Sequence, residues 1–511
     1  MKLMSLMICI AFLFGAEQDD MPLLRWAGPP GSRPGTYEEW IAENPYTDFV
    51  HTLETVVYGD GRQGTVAILT NQNIANPLSL EVNQLIYNLQ AEGYTVYSYQ
   101  VSGGTPDSLR TFLKGVYDSF DIEGALLIGS MPIAWFEIRD DFHQYGYTQF
   151  PCDLFYMDLD GTWLDTMNTG NNRYDGHTST TGDLAPEIYI GRLLPTGLGI
   201  DTVLINNYLR KNNAYRHDTL HLQERALVFV DDDWMYSGQS FAADVALVYP
   251  DTMSFFDPET TRAAVYRQKL DTVQAWVSVF AHSWPGGHQF SFNSGVSHDY
   301  YFSYEYTNQD PPANFYNFFC CSFSRYTEDC GGNRAIFNQT SGVGSIGSAK
   351  TGSMLDFYWF YLPLSQEKTI GMALKEWFDY ITYNNSVTFN ELCWHYGMTL
   401  LGDPFLKPTG HQLPIAEQQI NTGNNLFRLS SNPATDRITL HGSFTDAHTI
   451  KITMYDCAGR MLTRQEHTAG PGTQTLTIEL IDRAGRPLSQ GVYIMQVDIN
   501  NRRVTEKIVK L

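Results

Sequence analysis

Apolar residues follow two alternating rhythms in the amino-terminal part of the chain. Short apolar runs at 65–69, 94–99 and 124–129 are typical of buried strands. Between them, apolar positions three and four residues apart predict helices over 78–91 and 105–117. Strands that alternate with helices form parallel sheets covered on both faces. The pattern therefore predicts an α/β fold with a parallel sheet.

Two later apolar runs each end on a reactive side chain. Residues 276–281 lead directly to His282, and residues 314–319 lead to Cys320 and Cys321. Catalytic groups gather where the strands of a parallel sheet end, so these side chains are candidates for a nucleophile and its acid–base partner. Cysteine is also among the most buried residue types, and simple packing is the alternative interpretation. We assign Cys321 as the nucleophile, with Cys320 buried on the opposite face.

The chain divides into segments with different patterns. A strand over 225–230 opens a second α/β half, and the residues after 425 alternate in a way that predicts a small all-β, Ig-like sandwich. Residues 1–16 have the charged start and apolar core of a signal peptide. For the segment after it, a pro-segment and an N-terminal wrap are both open. The predicted order is a signal peptide (1–16), an N-terminal segment (17–58), a first α/β subdomain (59–220), a catalytic α/β subdomain (221–407), a linker (408–425) and the sandwich (426–511).

Charge and composition narrow the functional classes. The chain has 511 residues, and 33 Lys and Arg against 56 Asp and Glu give a formal net charge of −23. This charge argues against nucleic acid or an anionic membrane as a partner. No segment after the signal peptide has the roughly 20 apolar residues that a membrane helix needs. We expect an exported protein without a membrane span.

An acidic loop follows the first half of the predicted sheet. Asp158, Asp160 and Asp165 lie in a short stretch rich in Asn and Gly. Calcium prefers six to eight oxygen ligands from loops of this kind, so the loop can hold a structural calcium ion. Asp, Asn and Gly are also ordinary turn formers, and that alternative stays open. No cofactor is expected to be required for the chemistry.

Several motifs together resemble one family of peptidases. The block 318–326 is similar to the strand, Cys and short loop of the caspase, legumain and gingipain group of cysteine peptidases. Within this group the gingipain-like (C25) family fits best, because its characteristic segments occur in the same order. These segments are 125–132, 152–161, 186–193 and 398–404. The resemblance implies a parallel-sheet catalytic domain in two α/β halves and hydrolysis of peptide bonds by Cys321 and His282.

The resemblance also implies roles for further residues. Asp153 lies where the family has the acidic floor of a pocket for basic side chains, although a structural role or calcium binding is the alternative. The loop 348–353 corresponds to a substrate-pocket loop. Backbone N–H groups near Cys321 and after His282 would stabilise the oxyanion, but many relatives have Gly where this chain has Ser283. The resulting candidates are Asp153, Ser348, Lys350 and Ser353 for substrate binding, Ser283 and Ser322 for the oxyanion, and His288 as an alternative base.

The carboxyl-terminal segment resembles the sorting domain of the type IX secretion system. Four motifs carry this resemblance, in order: 431–434, 455–460, 491–493 and 507–511. It implies delivery through the periplasm to the cell surface or the medium, with the secretion machinery and protein or peptide substrates as partners. A non-catalytic surface adhesin or glycan-binding protein on a peptidase scaffold is the rival hypothesis, since a sorting domain addresses its cargo whether or not the cargo is active.

Overall fold

A computed structural model describes most of the chain outside its first 20 residues. The described residues are 21–167, 170–293, 295–409, 427–430, 434–444, 448–456, 460–470, 472–482, 485–499 and 502–510. The predicted signal peptide, Cys457 and nearly all of the predicted linker lie outside these ranges. Two compact units are present, Met1–Gln418 and Gln419–Leu511.

The first unit contains both helices and strands. Its strands are β1 (Val50–Val57), β2 (Thr65–Asn71), β3 (Thr95–Ser102), β4 (Ile122–Ile128), β5 (Trp135–Ile138), β6 (Thr148–Pro151), β7 (Thr162–Leu164), β8 (Arg173–Tyr174), β9 (Gly176–Thr178), β10 (Tyr189–Leu193), β11 (Arg225–Val230), β12 (Asp251–Phe255), β13 (Gln274–Trp284), β14 (Gly287–Phe292), β15 (Ser297–Phe302), β16 (Ala313–Cys320), β17 (Gly344–Ser348) and β18 (Met398–Gly402). Its α-helices are α1 (Tyr37–Glu43), α2 (Gln72–Glu92), α3 (Pro106–Phe120), α4 (Leu154–Met157), α5 (Asp201–Arg216), α6 (Gly238–Ala246), α7 (Ala263–Leu270), α8 (Ser303–Gln309), α9 (Gly331–Ile336), α10 (Phe357–Ser365), α11 (Ile370–Ile381) and α12 (Phe389–His395). Two 3-10 helices span Asp141–His143 and Asp232–Ser237.

One large sheet organises this unit. Its strand order is β1-β3-β2-β4-β10-β18-β17-β16-β13-β11-β12, and the β14–β15 hairpin extends it from β13. Neighbours along this path are parallel except for β1–β3 at one edge and β17–β18 between the two halves. β13 and β16 lie inside the second half and are buried along their whole length. The predicted α/β fold with two halves is confirmed, and burial on both faces explains the continuous apolar runs.

Local signals set the helix boundaries close to where the sequence pattern predicts them. The side chain of Thr105 accepts a hydrogen bond from the backbone N–H of Ser108 and caps α3, and Pro106 occupies the first turn, where its missing N–H costs nothing. The helix ends at Asp121, whose backbone is left-handed. The family resemblance implies a strand at the start of 152–161, and this expectation is wrong, because the short helix α4 begins there soon after β6.

The second unit is all-β. Its strands are β19 (Phe427–Ser430), β20 (Arg437–Phe444), β21 (His448–Asp456), β22 (Met461–Ala469), β23 (Gly472–Glu479), β24 (Gly491–Ile499) and β25 (Arg502–Lys510). They form two antiparallel sheets, ordered β19-β20-β23 and β22-β21-β24-β25. Ile438 and Ile478 of the first sheet share an apolar cluster with Ile452 and Met495 of the second. This shared core gives the predicted sandwich.

Two further features concern the whole described chain. The five described cysteines, Cys152, Cys320, Cys321, Cys330 and Cys393, are all buried free thiols. Among the helices described above, none combines the length and apolar character that crossing a membrane requires.

Candidate active site

The two candidate catalytic residues lie at the ends of neighbouring strands. β13 and β16 are parallel, and Ala281 pairs with Cys320 at the end of their shared register. The next residues, His282 and Cys321, therefore reach the same edge of the sheet. Parallel strands bring their carboxyl ends together in this way, so residues 39 positions apart in the sequence become neighbours in space.

Strand alternation places Cys321 and Cys320 on opposite faces of the sheet. Cys321 and Phe319 belong to the main apolar cluster, whereas Cys320 belongs to a second cluster. The ring centroid of Trp234 lies 4.7 Å from that of His282 and 5.4 Å from that of Phe319. His282 and Cys321 thus share one face, and the neighbouring thiol points away from it.

The His282 ring is held by hydrogen bonds at both nitrogens. Its Nε2 lies 2.5 Å from Oδ2 of Asp233. Its Nδ1 accepts a hydrogen bond from the backbone N–H of Arg25, with a nitrogen-to-nitrogen distance of 3.1 Å. Because Nδ1 accepts, the proton of the neutral ring lies on Nε2 and is donated to the carboxylate. The Asp233 contact therefore fixes both the orientation and the tautomer of His282.

Burial keeps the histidine and the thiol neutral in this state. It lowers the pKa of His282, although the hydrogen bond to Asp233 opposes the shift. The same hydrogen bond is the main reason why the pKa of Asp233 is lowered. Cys321 is fully buried, and this burial raises the pKa of its thiol to about 12. The thiol donates a hydrogen bond to Oγ1 of Thr351, 3.2 Å away.

The residue after Cys321 turns the chain sharply off the sheet. Ser322 has a φ of 55°, a left-handed conformation that is strained for a residue with a side chain. Its backbone N–H already donates to the carbonyl oxygen of Lys350 at 2.9 Å. The Ser283 side chain bonds to the Ala281 carbonyl oxygen and to the His288 ring, on the face away from His282. The backbone N–H of Ser322 and the hydroxyl of Ser283 are therefore both already used within the protein, and neither is free to stabilise an oxyanion at Cys321.

His288 belongs to the opposite face, with Cys320. Its place after Pro285, Gly286 and Gly287 in the sequence predicts a flexible loop, and this prediction is wrong, because His288 is fully buried in β14. Its Nδ1 lies 2.9 Å from Ser283 Oγ and 3.5 Å from Cys320 Sγ, and its Nε2 lies 3.0 Å from the Tyr306 hydroxyl. Burial lowers the pKa of His288 to about 3. This placement argues against a role as the base for Cys321.

Asp153 is engaged within the protein interior. Its carboxylate accepts hydrogen bonds from Nε and NH2 of Arg192 at 3.2 and 2.5 Å. The hydroxyls of Tyr326 and Thr399 each donate to it at 2.8 Å. Four donors satisfy both oxygens of a carboxylate that is 3% exposed. The geometry therefore argues against Asp153 as the floor of a pocket for basic substrate side chains.

The predicted substrate-pocket loop is likewise buried. The Lys350 ammonium forms an ion pair with Asp141 at 3.0 Å and donates to backbone carbonyl oxygens. Ser348 donates to the backbone of Lys350, and Ser353 donates to the carbonyl oxygen of Phe318. These contacts assign a supporting role to the three side chains behind Cys321, rather than direct contact with substrate.

An N-terminal segment, residues 21–36, runs along the same edge of the sheet. Its backbone bonds to groups that surround His282 and Cys321. The contacts are Trp234 Nε1 to Pro22 O (2.9 Å), Tyr145 OH to Leu24 O (2.8 Å), Arg25 N to His282 Nδ1 (3.1 Å) and Ala27 N to Ser283 O (3.1 Å). The site is therefore spanned by a continuous stretch of the chain's own backbone.

The far end of this N-terminal segment is anchored to the loop after Cys321. Arg325 is fully buried and donates from NH2 to the carbonyl oxygen of Gly35 at 2.7 Å. The Glu328 carboxylate accepts a hydrogen bond from the Gly35 N–H at 2.8 Å. The segment thus contacts both loops that carry the candidate catalytic residues.

The predicted metal ligands do not all come together. Asp158, Asp160 and Glu187 each offer one oxygen within 4.8 Å of the others, whereas Asp165 accepts a hydrogen bond from Gly170 instead. Much of this cluster is already used, because Asp158 accepts from two backbone N–H groups and lies 2.5 Å from His177 Nε2. Asp160 and Glu187 each accept one backbone hydrogen bond as well, from Asp183 and Leu159, so the cluster fits a calcium ion only in part and calcium stays a prediction.

Two functional features were missed at the level of sequence. The first is Asp233, which follows β11, the neighbour of β13 in the sheet. The run of three aspartates at this strand end could have indicated a carboxylate near His282. For the N-terminal segment, a pro-segment and a wrap were both open, and only its contact with the site was missed, because no local pattern links residue 25 to residue 282.

Two sequence-family models match successive parts of the chain. The sequence model of peptidase family C25 matches residues 78–409, and that of the secretion system C-terminal sorting domain matches residues 431–511. The Arg-specific cysteine proteinase gingipain R (RGPB) is similar at 13% identity and a TM-score of 0.49, over 89% of this chain and 100% of that one. A complex of Porphyromonas gingivalis RgpB pro- and mature domains is similar at 13% identity and a TM-score of 0.48, over 88% and 100%.

A comparison with curated proteins gives no match. The family evidence instead rests on a C25 match that covers well over half of the chain. The sorting-domain match covers the second, all-β unit, and this domain marks secretion by the type IX system to the cell surface or the medium. The chain belongs to peptidase family C25, a gingipain-like family of cysteine peptidases, and it carries a type IX secretion sorting domain.

Proposed function

We propose that this protein is a secreted cysteine endopeptidase in which Cys321, His282 and Asp233 act together. The observation that carries the proposal is the polarity of the His282 ring at the sheet edge that also bears Cys321. Its Nε2 is bound by Asp233, so its Nδ1 lone pair faces the backbone N–H of Arg25, the place that a leaving amine would take. A nucleophile, a base and a group that orients the base are the parts required for acyl transfer.

The reaction proceeds by two proton transfers through one atom. Nδ1 of His282 takes the thiol proton as Cys321 Sγ forms a bond to the scissile carbonyl carbon. The imidazolium, stabilised by Asp233, then gives this proton to the amine nitrogen as the carbon–nitrogen bond breaks. Water attacks the resulting thioester, loses a proton to His282, and releases the acid and the thiol. No metal or organic cofactor is needed for these steps.

Cleavage within a chain, rather than at its end, is supported by the contacts along the site. Backbone of the N-terminal segment is bound on both sides of His282, from Pro22 to Ala27. A groove that holds extended backbone in both directions suits an endopeptidase. We therefore propose protein or peptide substrates that bind as extended segments.

The test is digestion of a peptide library by the purified protein and by its Cys321→Ala variant. Internal cleavage that the variant lacks supports the proposal, and identical product patterns would contradict it. Relative alkylation rates of the thiols address the rival hypothesis of an inactive adhesin. A peptidase should have one thiol that reacts faster than the others once its site is accessible, whereas an inactive scaffold should not.

A structural calcium ion in the acidic loop remains a separate proposal. Asp160 and Glu187 are its carriers in this geometry, and burial together with neighbouring negative charge raises the pKa of Glu187 to about 7. Thermal unfolding with calcium, with magnesium and without either ion tests the proposal. A calcium-specific rise in the midpoint that Asp160→Asn removes would support it, and an equal response of both proteins would refute it.

A further inference from the structure

Residues 21–27 meet the site in the manner of a bound peptide. Their hydrogen bonds to the site use backbone atoms at Pro22, Leu24, Arg25 and Ala27. In addition, Trp26 forms a parallel bridge with Ser283 at the end of β13. Recognition by main-chain hydrogen bonds along a strand end is how extended peptides are commonly bound, with side-chain pockets adding specificity.

The peptide bond between Leu24 and Arg25 lies between the His282 ring and the Tyr145 hydroxyl. The Arg25 nitrogen lies 3.1 Å from Nδ1 of His282, the atom that protonates a leaving amine. The carbonyl oxygen of Leu24 accepts from the Tyr145 hydroxyl at 2.8 Å. Leu24 is thus on the acyl side of this bond, and Arg25 is on the leaving side.

The surroundings of the Leu24 side chain therefore indicate which residue type the site binds on the acyl side of the scissile bond. Its side chain is fully buried and belongs to the main apolar cluster, which also contains Trp234 and Cys321. The Arg25 side chain behaves differently, because it is 48% exposed and lies 3.4 Å from the carboxylate of Asp233. Burial of apolar surface therefore favours an apolar side chain at this position.

A basic side chain would lack a partner in the same pocket. Two buried carboxylates near the site are already paired, Asp141 with Lys350 and Asp153 with Arg192. Burying a charge without a partner is costly, so Lys or Arg is disfavoured where Leu24 lies.

Tyr145 is placed to act on the carbonyl group. Its hydroxyl bonds to the carbonyl oxygen of Leu24, and burial and the nearby Cys321 raise the pKa of Tyr145 to about 12. The phenol is therefore protonated at neutral pH and donates. A donor at this oxygen stabilises the negative charge that develops there during attack.

We propose that this enzyme cleaves after a medium-sized apolar residue, typified by leucine, and that residues 21–27 fill the groove as a built-in substrate analogue. The proposal rests on the cysteine peptidase function proposed above. Since Arg325 and Glu328 tether Gly35 nearby, the analogue is present at a high effective concentration. The full chain is consequently latent until the segment is displaced.

The first experiment compares the full chain with its Leu24→Asp variant. Leu53→Asp is the control, because Leu53 is exposed on β1 and lies outside the site. The substrates are otherwise identical peptides with Leu, Lys, Arg or Asp before the scissile bond. We expect Leu24→Asp to raise hydrolysis of the Leu peptide by about tenfold or more, with at least tenfold preference over the Lys and Arg peptides. Leu53→Asp should match the unchanged chain.

A second measurement separates this proposal from the catalytic one. Mass spectrometry after brief iodoacetamide treatment should show faster labelling of Cys321 in Leu24→Asp, while Cys320 on the other face stays unlabelled. Faster labelling with preference for Lys or Arg peptides would overturn the specificity proposal and leave the peptidase function standing. Faster labelling without hydrolysis of any peptide would overturn both. Unchanged labelling and unchanged activity would overturn the substrate-analogue role.

The third variant tests Tyr145 in the Leu24→Asp background. Tyr145→Phe keeps the ring and removes only the hydroxyl. We expect kcat for the Leu peptide to fall about tenfold or more with little change in KM, because the lost hydrogen bond strengthens in the transition state. An unchanged kcat, or a change in KM alone, would remove Tyr145 from the reaction.

Discussion

Two Cys–His pairs lie on opposite faces of the sheet formed by β13, β14 and β16, and they differ in how their histidines are bound. Cys320 and His288 are the pair with the direct contact, 3.5 Å from Sγ to Nδ1. They are enclosed by aromatic side chains, and the ring centroid of Phe323 lies 3.9 Å from that of His288. Cys321 and His282 instead border the groove along which residues 21–27 lie.

The difference between the pairs is in their connections. The Nε2 atom of His282 is bound by the Asp233 carboxylate, and its Nδ1 atom accepts from the Arg25 N–H. This arrangement suits proton transfer at Nδ1. His288 is bound by two hydroxyl groups and has no carboxylate among its described hydrogen-bond partners. A short Cys–His distance is therefore a poor guide to function, whereas an oriented tautomer with access to a groove is a good one.

The largest expected effect is on the rate of peptide hydrolysis when each of the two thiols is removed in turn. Cys321→Ala should lower peptide hydrolysis by more than about a thousandfold, because no other group can form the acyl intermediate. Cys320→Ala should keep activity within a few-fold and cost about 1 kcal/mol of stability through lost packing. Initial rates and thermal midpoints of both variants check this, preferably in the Leu24→Asp background. Reversed phenotypes would transfer the chemistry to the Cys320 face.

The second prediction compares the effects of replacing each of the two histidines by alanine. His282→Ala should lower kcat by about two or more orders of magnitude, the range for losing a general acid–base group. His288→Ala should act on stability, by about 1–3 kcal/mol, because it leaves buried Ser283 and Tyr306 hydroxyls without their partner. If His288 lay on a flexible loop, His288→Ala would instead be expected to weaken substrate binding and raise KM. Steady-state kinetics and denaturant unfolding of the two variants distinguish these outcomes.

The sequence could predict the strands and the residues at their ends, but not which residues from distant parts of the chain contact those ends. His282 and Cys321 were recognisable because a buried strand has a local signature and alternation assigns the two thiols to opposite faces. The burial of Lys350 with Asp141, and of Asp153 with Arg192, pairs residues that are far apart in the chain. No periodicity encodes such pairs, so the resemblance placed Asp153 and Lys350 in a pocket that the contacts do not support.

A smaller effect is expected at the carboxylate that orients His282. Asp233→Asn should lower kcat by about ten- to a hundredfold with little change in KM, because the amide cannot stabilise the imidazolium and permits the other tautomer. Asp232→Asn is the matched control, since the neighbouring residue forms no described hydrogen bond with His282. The two kcat values, measured over a range of pH, check the role. Equal loss in both variants would indicate a general effect of the acidic run instead.

The smallest expected effect on activity concerns Asp231, two residues before Asp233. It is fully buried, accepts a hydrogen bond from the Ser291 N–H at 2.7 Å, and burial raises its pKa to about 8. An acid whose folded pKa lies above its unfolded value stabilises the fold at low pH, and this contribution is lost as the pH rises toward 8. Asp231→Asn should therefore flatten the fall of the unfolding free energy between about pH 4 and 8, which a single raised acid group makes as steep as about 1.4 kcal/mol per pH unit. Glu54→Gln, at an exposed position of β1, should follow the unchanged chain. Parallel curves for all three proteins would show that Asp231 is ionised in the fold, and that the charge beside Asp233 is shared between the two carboxylates.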